Sequence, residues 1–513
     1  MSDTHAQSVA FVRNTEIPPS LPPDTEGGVI KWVRENLFPN VLSGILTIVA
    51  LYFIIRLSIF VVPWIWNGVW GADSLTNCRE VLGGKTGACF SVITDRWHQL
   101  LFGAAYPRDL FFLSTMTGVP VADLVTPGGV RENTNFFQEF FFGYWRPVLA
   151  FVLLFVAIAP VLFSELPRKM LITTAIYPFA AFWLVWGGSL WVPVTILASL
   201  AIAYFAYSFV VNRSFFLGAL SFLAVLILLL FDPIAMLINA AEFGRNSLAF
   251  LGWQRAENAL PWVTVMEQNY PWLMNIFPLN AHVVEGLSTI SSVSLASVPS
   301  RELGGFMLNM ILGTVCVSLS LPLGILLALG RQSNLPLIKW VCVIFIEFIR
   351  GVPLITLLFV ANVVLAYFLP PESNPDLIIR VMIMITLFAS AYIAEVVRGG
   401  LAALPRGQYE AADSLGLEYA QAMRLIILPQ ALKISIPGIV NVAVGLFKDT
   451  TLVSIISMFD LVGLIRGPIL ASTDWNGVYW ELFGFAALLF FVICYAISQY
   501  SQWLERKLQT GHR

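Results

Sequence analysis

Ten stretches of this 513-residue chain are apolar over lengths that cross a bilayer: 41–63, 147–163, 170–190, 192–211, 214–231, 304–330, 350–369, 376–398, 434–457 and 481–503. No feature constrains the fold more. Inside hydrocarbon every backbone N–H and C=O must be satisfied within the protein, so continuous apolar runs of about 20 residues fold as α-helices. The chain is 58% hydrophobic and 12% charged, with a mean hydropathy of +0.79, which a soluble globular domain does not reach. The expected class is therefore all-α, a polytopic membrane protein of about ten transmembrane helices, with soft boundaries around 170–211. There Gly187, Gly188 and Pro193 mark a tight turn between two spans.

Residues 1–40 are polar, carry prolines at 18, 19, 22 and 23, and read as a flexible tail. The run 41–63 is too long for a signal-peptide core and lacks a small-residue cleavage site, so it stays as a membrane helix. If the spans alternate, Arg168 with Lys169, Arg213, Arg331 with Lys339, Arg406, Arg424, Lys433 and Arg506 with Lys507 fall on one side. The positive-inside rule makes that side the cytoplasm and puts both termini there. Residues 41–231 then form a five-span region with an external loop 64–146. The segment 232–303 is also external, 304–505 holds five more spans interrupted by a charged loop 399–433, and 506–513 is a cytoplasmic tail. No internal repeat is evident, so any two-fold axis lies between subunits.

A net charge of −2 gives no basic face for nucleic acid. The histidines, at 5, 98, 282 and 512, are dispersed and form no metal site. Gly84, Lys85 and Thr86 look like the end of a phosphate-binding loop, but Arg79 stands where its first glycine belongs. The chain is thus expected to hold no ATPase, no metal and no cofactor of its own. Cys316, Cys342 and Cys494 lie in apolar runs as free thiols. Cys78 and Cys89 sit in a polar loop and could close a ring if that loop faces an oxidising compartment. Such a ring would restrain the loop by about 3 kcal/mol.

Residues 410–430, EAADSLGLEYAQAMRLIILPQ, put a glycine-broken amphipathic helix pair between two spans. Ala411, Leu415, Tyr419, Ala422 and Ile426 recur at three- and four-residue spacing, leaving Glu410, Asp413, Glu418 and Gln421 elsewhere on the surface. Gly416 permits a sharp turn, Ala411 and Ala412 permit close approach, and Pro429 disrupts regular pairing before the chain re-enters the membrane. A helix lying on lipid headgroups would be rich in Lys and Arg, whereas this one carries no base until Arg424. The pattern resembles the EAA loop of ABC importer permeases, in which a short cytoplasmic helix pair plugs into a partner ATPase. The docking residues this implies are Glu410, Ala411, Ala412, Asp413, Leu415, Gly416, Leu417 and Tyr419.

The resemblance covers about 301–505. LSLPLGILLALGRQSNLPLIKW, then IEFIRGVPL at 346–354, AYIAEVVRGGLAALPRGQ at 391–408 and GLFKDTTLVSIIS at 445–457 are similar to the polar amino-acid branch (His/Glu/Gln/Arg/opine type) of these inner-membrane permeases. Cys78–Arg79, Gly87–Cys89, Phe102, Gly103, Tyr106, Pro107 and Trp145–Pro147 most resemble the M-type permease subunit of general L-amino acid transporters. The segments 108–143 and 245–300 depart from that pattern. The resemblance implies a type I ABC importer permease core over 304–505, in a multi-pass protein of the bacterial cytoplasmic membrane surrounded by lipid. Its implied partners are a second, related permease chain, two ABC ATPase subunits that use ATP and Mg, and a periplasmic or extracellular amino-acid-binding protein.

Charges within spans cost about 2.5–3.5 kcal/mol on insertion scales and need a reason. Glu347 with Arg350, and Glu395 with Arg398, are three apart and read as intrahelical pairs, structural or gating. Asn362, Asn441, Lys448 and Asp449 are candidates for the substrate pathway; Lys448 and Asp449, about fifteen residues into the span, offer a cation and an anion to a zwitterion. A contact with a partner subunit, or with the cytoplasmic ends of neighbouring helices, would explain that dipeptide equally well. The competing function is an ion-coupled secondary amino-acid transporter or channel, working through buried acids such as Glu395 and Asp449.

Overall fold

The computed structural model describes residues 28–126, 129–163, 166–211, 215–230, 284, 287, 293–364, 367 and 376–509. Most of the tail 1–40 and of the segment 232–303, with His5, His282, His512 and Arg213, lies outside them. Among the described residues, eight helices are long and apolar enough to cross a membrane, or nine if one bent pair counts as a span.

The chain divides into two compact units. The first comprises residues up to Ala72 together with Thr76–Phe90. The expected tail is helical at its end: α1, Gly28–Asn36, is supported by a Lys31–Glu35 pair one turn apart at 3.9 Å. Helix α2, Val41–Trp66, is capped by the Asn40 side chain accepting from Ser43 N and contains no buried residue. Beyond it the chain turns back on itself. Val69 bridges to Cys89, the Phe90 ring packs between Trp64 and Trp70, and Cys78, on α3 (Leu75–Leu82), is joined to Cys89 by a disulfide.

The second unit holds everything else. Short helices α4 (Ser91–Phe102), α5 (Leu110–Thr117), α6 (Val121–Val125), α7 (Gly129–Asn133) and α8 (Phe136–Gln138) lie within the expected external loop. Spans α9 (Trp145–Leu162), α10 (Leu171–Trp186) and α11 (Trp191–Val210) follow, then α12 (Phe215–Leu230), whose 16 residues are short for a span. The glycine pair makes the expected turn, but as strand β1 (Gly188–Ser189), antiparallel to β2 (Ser294–Leu295). Pro193 instead sits in the first turn of α11, where its missing N–H is harmless.

The centre of this unit is α13, Gly305–Arg331, which packs along α16, Leu377–Ala402. Gly324 makes that contact possible: a Cβ there would lie 2.6 Å from Ile393 Cγ2 and 3.0 Å from the Ser390 carbonyl oxygen. Helices α19 (Leu428–Asp449) and α21 (Tyr479–Gln509) extend the layer. The last helix runs through the expected tail to Gln509, with Lys507 lying 5.0 Å from the Trp503 ring centroid. The expected span at 350–369 is instead the second arm of a bent pair: α14 (Pro336–Gly351), which lies almost wholly before that range and was not among the expected spans, is followed at an angle of 103° by a stretch from Leu354 to Val364 that begins as α15 (Leu354–Phe359). Pro353 is the cause, since it forces Val352 into an extended conformation (φ −103, ψ 132).

Two polar knots tie the sequence-distant parts together. Asp95 accepts from the indole of fully buried Trp475 (2.8 Å) and pairs with Arg131 (3.1 Å) and Arg96 (2.9 Å). Deeper in, Asn309 donates to Thr450 Oγ1 (2.9 Å) and to Asp460 Oδ2 (3.2 Å). Its Oδ1 accepts from Leu461 N (3.2 Å). Asp460 also caps α20, Leu461–Leu464, by accepting from Gly463 N (2.9 Å). Burial pushes the Asp460 carboxyl up to about 6, against the hydrogen bonds that favour its anion. Because this value lies above the unfolded one, ionisation weighs against the fold, and the stability from Asp460 falls as pH rises from about 4 to about 6. We expect thermal unfolding of the purified protein to show that decline, of order 2–3 kcal/mol, and Asp460→Asn to flatten it.

Candidate functional site

The loop between α16 and α19 folds as two short helices, α17 (Gly407–Ser414) and α18 (Tyr419–Ala422), then a π-helical turn Met423–Ile427. Gly416, at φ +69, stops α17, and an extended Glu418 starts α18. The expected apolar stripe does not survive this break, because the two helices no longer share one 3.6-residue phase. Ala412, Ala422, Met423 and Ile427 are the buried face, Met423 and Ile427 joining the core cluster of Ile393, Val397 and Leu404. Leu415 and Tyr419 instead point outward, 73% and 66% exposed, on either side of Gly416. Glu410, Ala411 and Asp413 are exposed beside them, Ala412 faces inward, and Leu417 is half-buried. Pro429 does not interrupt the chain; it stands at the first turn of α19.

Beneath the loop, the expected intrahelical pairs are parts of one network between helices. Glu395 on α16 binds Arg398 at 2.9 Å, Arg331 at the end of α13 at 2.6 Å and Arg350 on α14 at 3.6 Å. Glu347 adds Arg331 at 2.9 Å and Arg350 at 4.0 Å. Arg331 reads in sequence only as a flanking positive charge, yet it is the arm that brings α13 into the cluster. Arg380, which no sequence motif marks, donates to the carbonyls of Ala361 (3.1 Å) and Asn362 (3.0 Å) and so holds the bent segment after α15.

A cavity of about 220 Å³ lies between α16 and α19, lined by Phe388, Tyr392, Val442, Gly445 and Asp449 among others. Of the four pathway candidates, Asp449 is in its wall. Lys448 and Asn441 are exposed, Asn362 is half-buried in the bent segment, and none of these three lines the cavity. Asp449 is the last residue of α19, which begins at Leu428 rather than at 434, so it stands further along its helix than expected. Tyr392 joins the two sites: it lines the cavity, and Arg350 of the charge network lies 5.7 Å from its ring centroid. The tilted contact of the Phe388 and Tyr392 rings (4.8 Å between centroids) and the open face at Gly445 carried no sequence signal. Among the described residues no group of acids, histidines or cysteines could hold a metal. His98, half-buried, is held neutral, pushed down to about 3 by desolvation and by Arg108 and Arg96.

Residues 320–510 match the family described as "Binding-protein-dependent transport system inner membrane component". The chain is 43% identical, over all of its length and all of the relative's, to the glutamate/glutamine/aspartate/asparagine transport system permease protein BztC of Rhodobacter capsulatus. It is 31% identical to the inner membrane amino-acid ABC transporter permease protein YhdY of Escherichia coli K12, over 96% of this chain and 97% of that one. A solved structure described as an amino acid ABC transporter with histidines is 32% identical over 40% of this chain and 92% of its own, with a TM-score of 0.36.

The network gives a direct expectation. Glu395→Gln strands Arg331, Arg350 and Arg398 with one half-exposed acid and should lower stability by about 2–3 kcal/mol. Glu347→Gln, where the side chain is 54% exposed, should cost no more than about 1 kcal/mol. Thermal unfolding midpoints of the two variants in detergent compare them.

Proposed function

The chain belongs to the amino-acid ABC transporter permeases, and from that membership we propose that it imports polar L-amino acids under the drive of separate ATPase subunits docked at Gly407–Ile427. It is a multi-pass inner-membrane protein of that family. In the proposed orientation both termini and the docking loop are cytoplasmic. A second permease chain completes the pathway, and an external binding protein delivers the solute. ATP and Mg are used by the partner ATPases.

The observation that carries the docking reading is the pair Leu415 and Tyr419. Two large side chains on one short loop are exposed around a glycine whose left-handed turn presents them, and the loop's own packing uses neither. Apolar groups so placed suit insertion into a partner's groove. Behind them, Met423 and Ile427 seat the loop on α16, and the Glu395 network ties α16 to α13 and α14. A pull on the loop would therefore move these helices together. Asp449, at the wall of the cavity between α16 and α19, is the proposed contact for the substrate's ammonium group.

Leu415→Asp changes an exposed position, so the protein should accumulate normally while ATPase co-purification and ATP-driven uptake in proteoliposomes are lost. Normal ATPase association and uptake would remove the loop from the coupling role, and uptake that survives ATP depletion would favour an ion-coupled carrier. Asp449→Asn should alter the stimulation of ATPase activity by substrate; unchanged stimulation across several amino acids takes this residue out of the pathway.

A further inference from the structure

A second cavity, of about 270 Å³, lies away from Asp449, between the stretch Tyr106–Phe111, the turn Gly143–Pro147, and Leu295 with Ala296. Its polar lining is mostly satisfied from within. Arg108 Nε donates to Tyr144 Oη at 2.9 Å and pairs with Glu139 at 3.0 Å. Asp109 accepts from Phe112 N at 2.9 Å and from the Trp145 indole at 2.8 Å. Tyr106 donates to the Val185 carbonyl at 3.3 Å.

Arg146 is the exception. It is only 6% exposed. Its Nε and Nη1 donate to the carbonyls of Leu184 and Ala296, each at 2.9 Å, and its Nη2 has no partner. No described acid forms an ion pair with it. Among the described residues only two carbonyl dipoles offset the charge of this buried guanidinium; a guanidinium so placed is costly to bury, and an anion beside it would remove much of that cost. Gly187, at φ +75, keeps the space: a Cβ there would run into Arg146 Nη2 and the Ala296 carbonyl.

We propose that this cavity binds the carboxylate of a small metabolite of amino-acid size, with Arg146 as its counter-ion and Tyr106 and Tyr144 as an aromatic wall. The volume lies just below the ~300–1,000 Å³ usual for drug-sized ligands, which suits a smaller molecule. A guanidinium that no described acid pairs with matches a carboxylate in charge and in planar shape. The site is independent of the ATPase-docking loop and of the cavity at Asp449.

The test is equilibrium binding of radiolabelled L-glutamate and of succinate to the full-length chain purified alone in detergent. Saturable binding of both, weakened by about tenfold or more in Arg146→Gln, is expected from loss of one charge-assisted contact. Because Arg146 also supports two carbonyls, Ala296→Trp is the second variant: it fills the cavity from an exposed position and should weaken both ligands equally. Three results would overturn the proposal: no saturable binding to the wild type, binding unchanged in both variants, or binding lost in Asp449→Asn but kept in Ala296→Trp.

Discussion

One carboxylate, Glu395, sets the geometry at the end of the bundle that bears the loop. It lies within 4 Å of three guanidinium groups carried by three helices, α13, α14 and α16. A charge near hydrocarbon is tolerated when it is paired, and here a single acid meets that need for several bases at once. The helices cannot separate without breaking at least one of these ion pairs. The loop rests on the same helix as this acid, and Tyr392, one turn before Glu395, reaches the cavity at Asp449. Loop, network and cavity are thus three stations along α16.

Much of this arrangement was legible in the sequence. Apolar length and the rule that backbone polar groups be satisfied within each span predicted the helices, and Gly416 marked the break in the loop. What escaped was the geometry that depends on neighbours. The stripe through Ala411, Leu415 and Tyr419 looks continuous in one helical projection, but a residue with positive φ resets the phase, and Ala412 with Met423 became the buried face. The pairs Glu347–Arg350 and Glu395–Arg398 have the spacing of local ion pairs, and no spacing could bring in Arg331 from another helix. Pro353 was visible in the run 350–369, yet its consequence, a bend of 103° rather than a kinked span, depended on Val352 being extended.

The front of the second unit is built on a different physical basis from the bundle. Its helices α4–α8 are short and closely joined to aromatic rings: Trp97, Phe102, Tyr106, Phe140 and Tyr144 form one continuous set of ring contacts. Such a cluster needs little regular secondary structure, because each ring brings a large buried area on few rotatable bonds. It also explains how so apolar an interior can still enclose Arg108, Glu139 and Arg146, each held by polar atoms at the cluster's edge.

The indole of Trp475 donating to Asp95 closes a contact between residues 380 positions apart. Leu75 N, which donates to the Asp474 carbonyl at 2.8 Å, repeats the closure. At a synthesis rate of about 5–20 residues per second, roughly 20–80 s separate the appearance of Asp95 from that of its partner. For all of that interval α4 lacks a neighbour that completes it in the finished protein. The chain's assembly therefore has a late closing step, and a chain that stops short of residue 475 lacks these contacts together with the helix α21 that follows them.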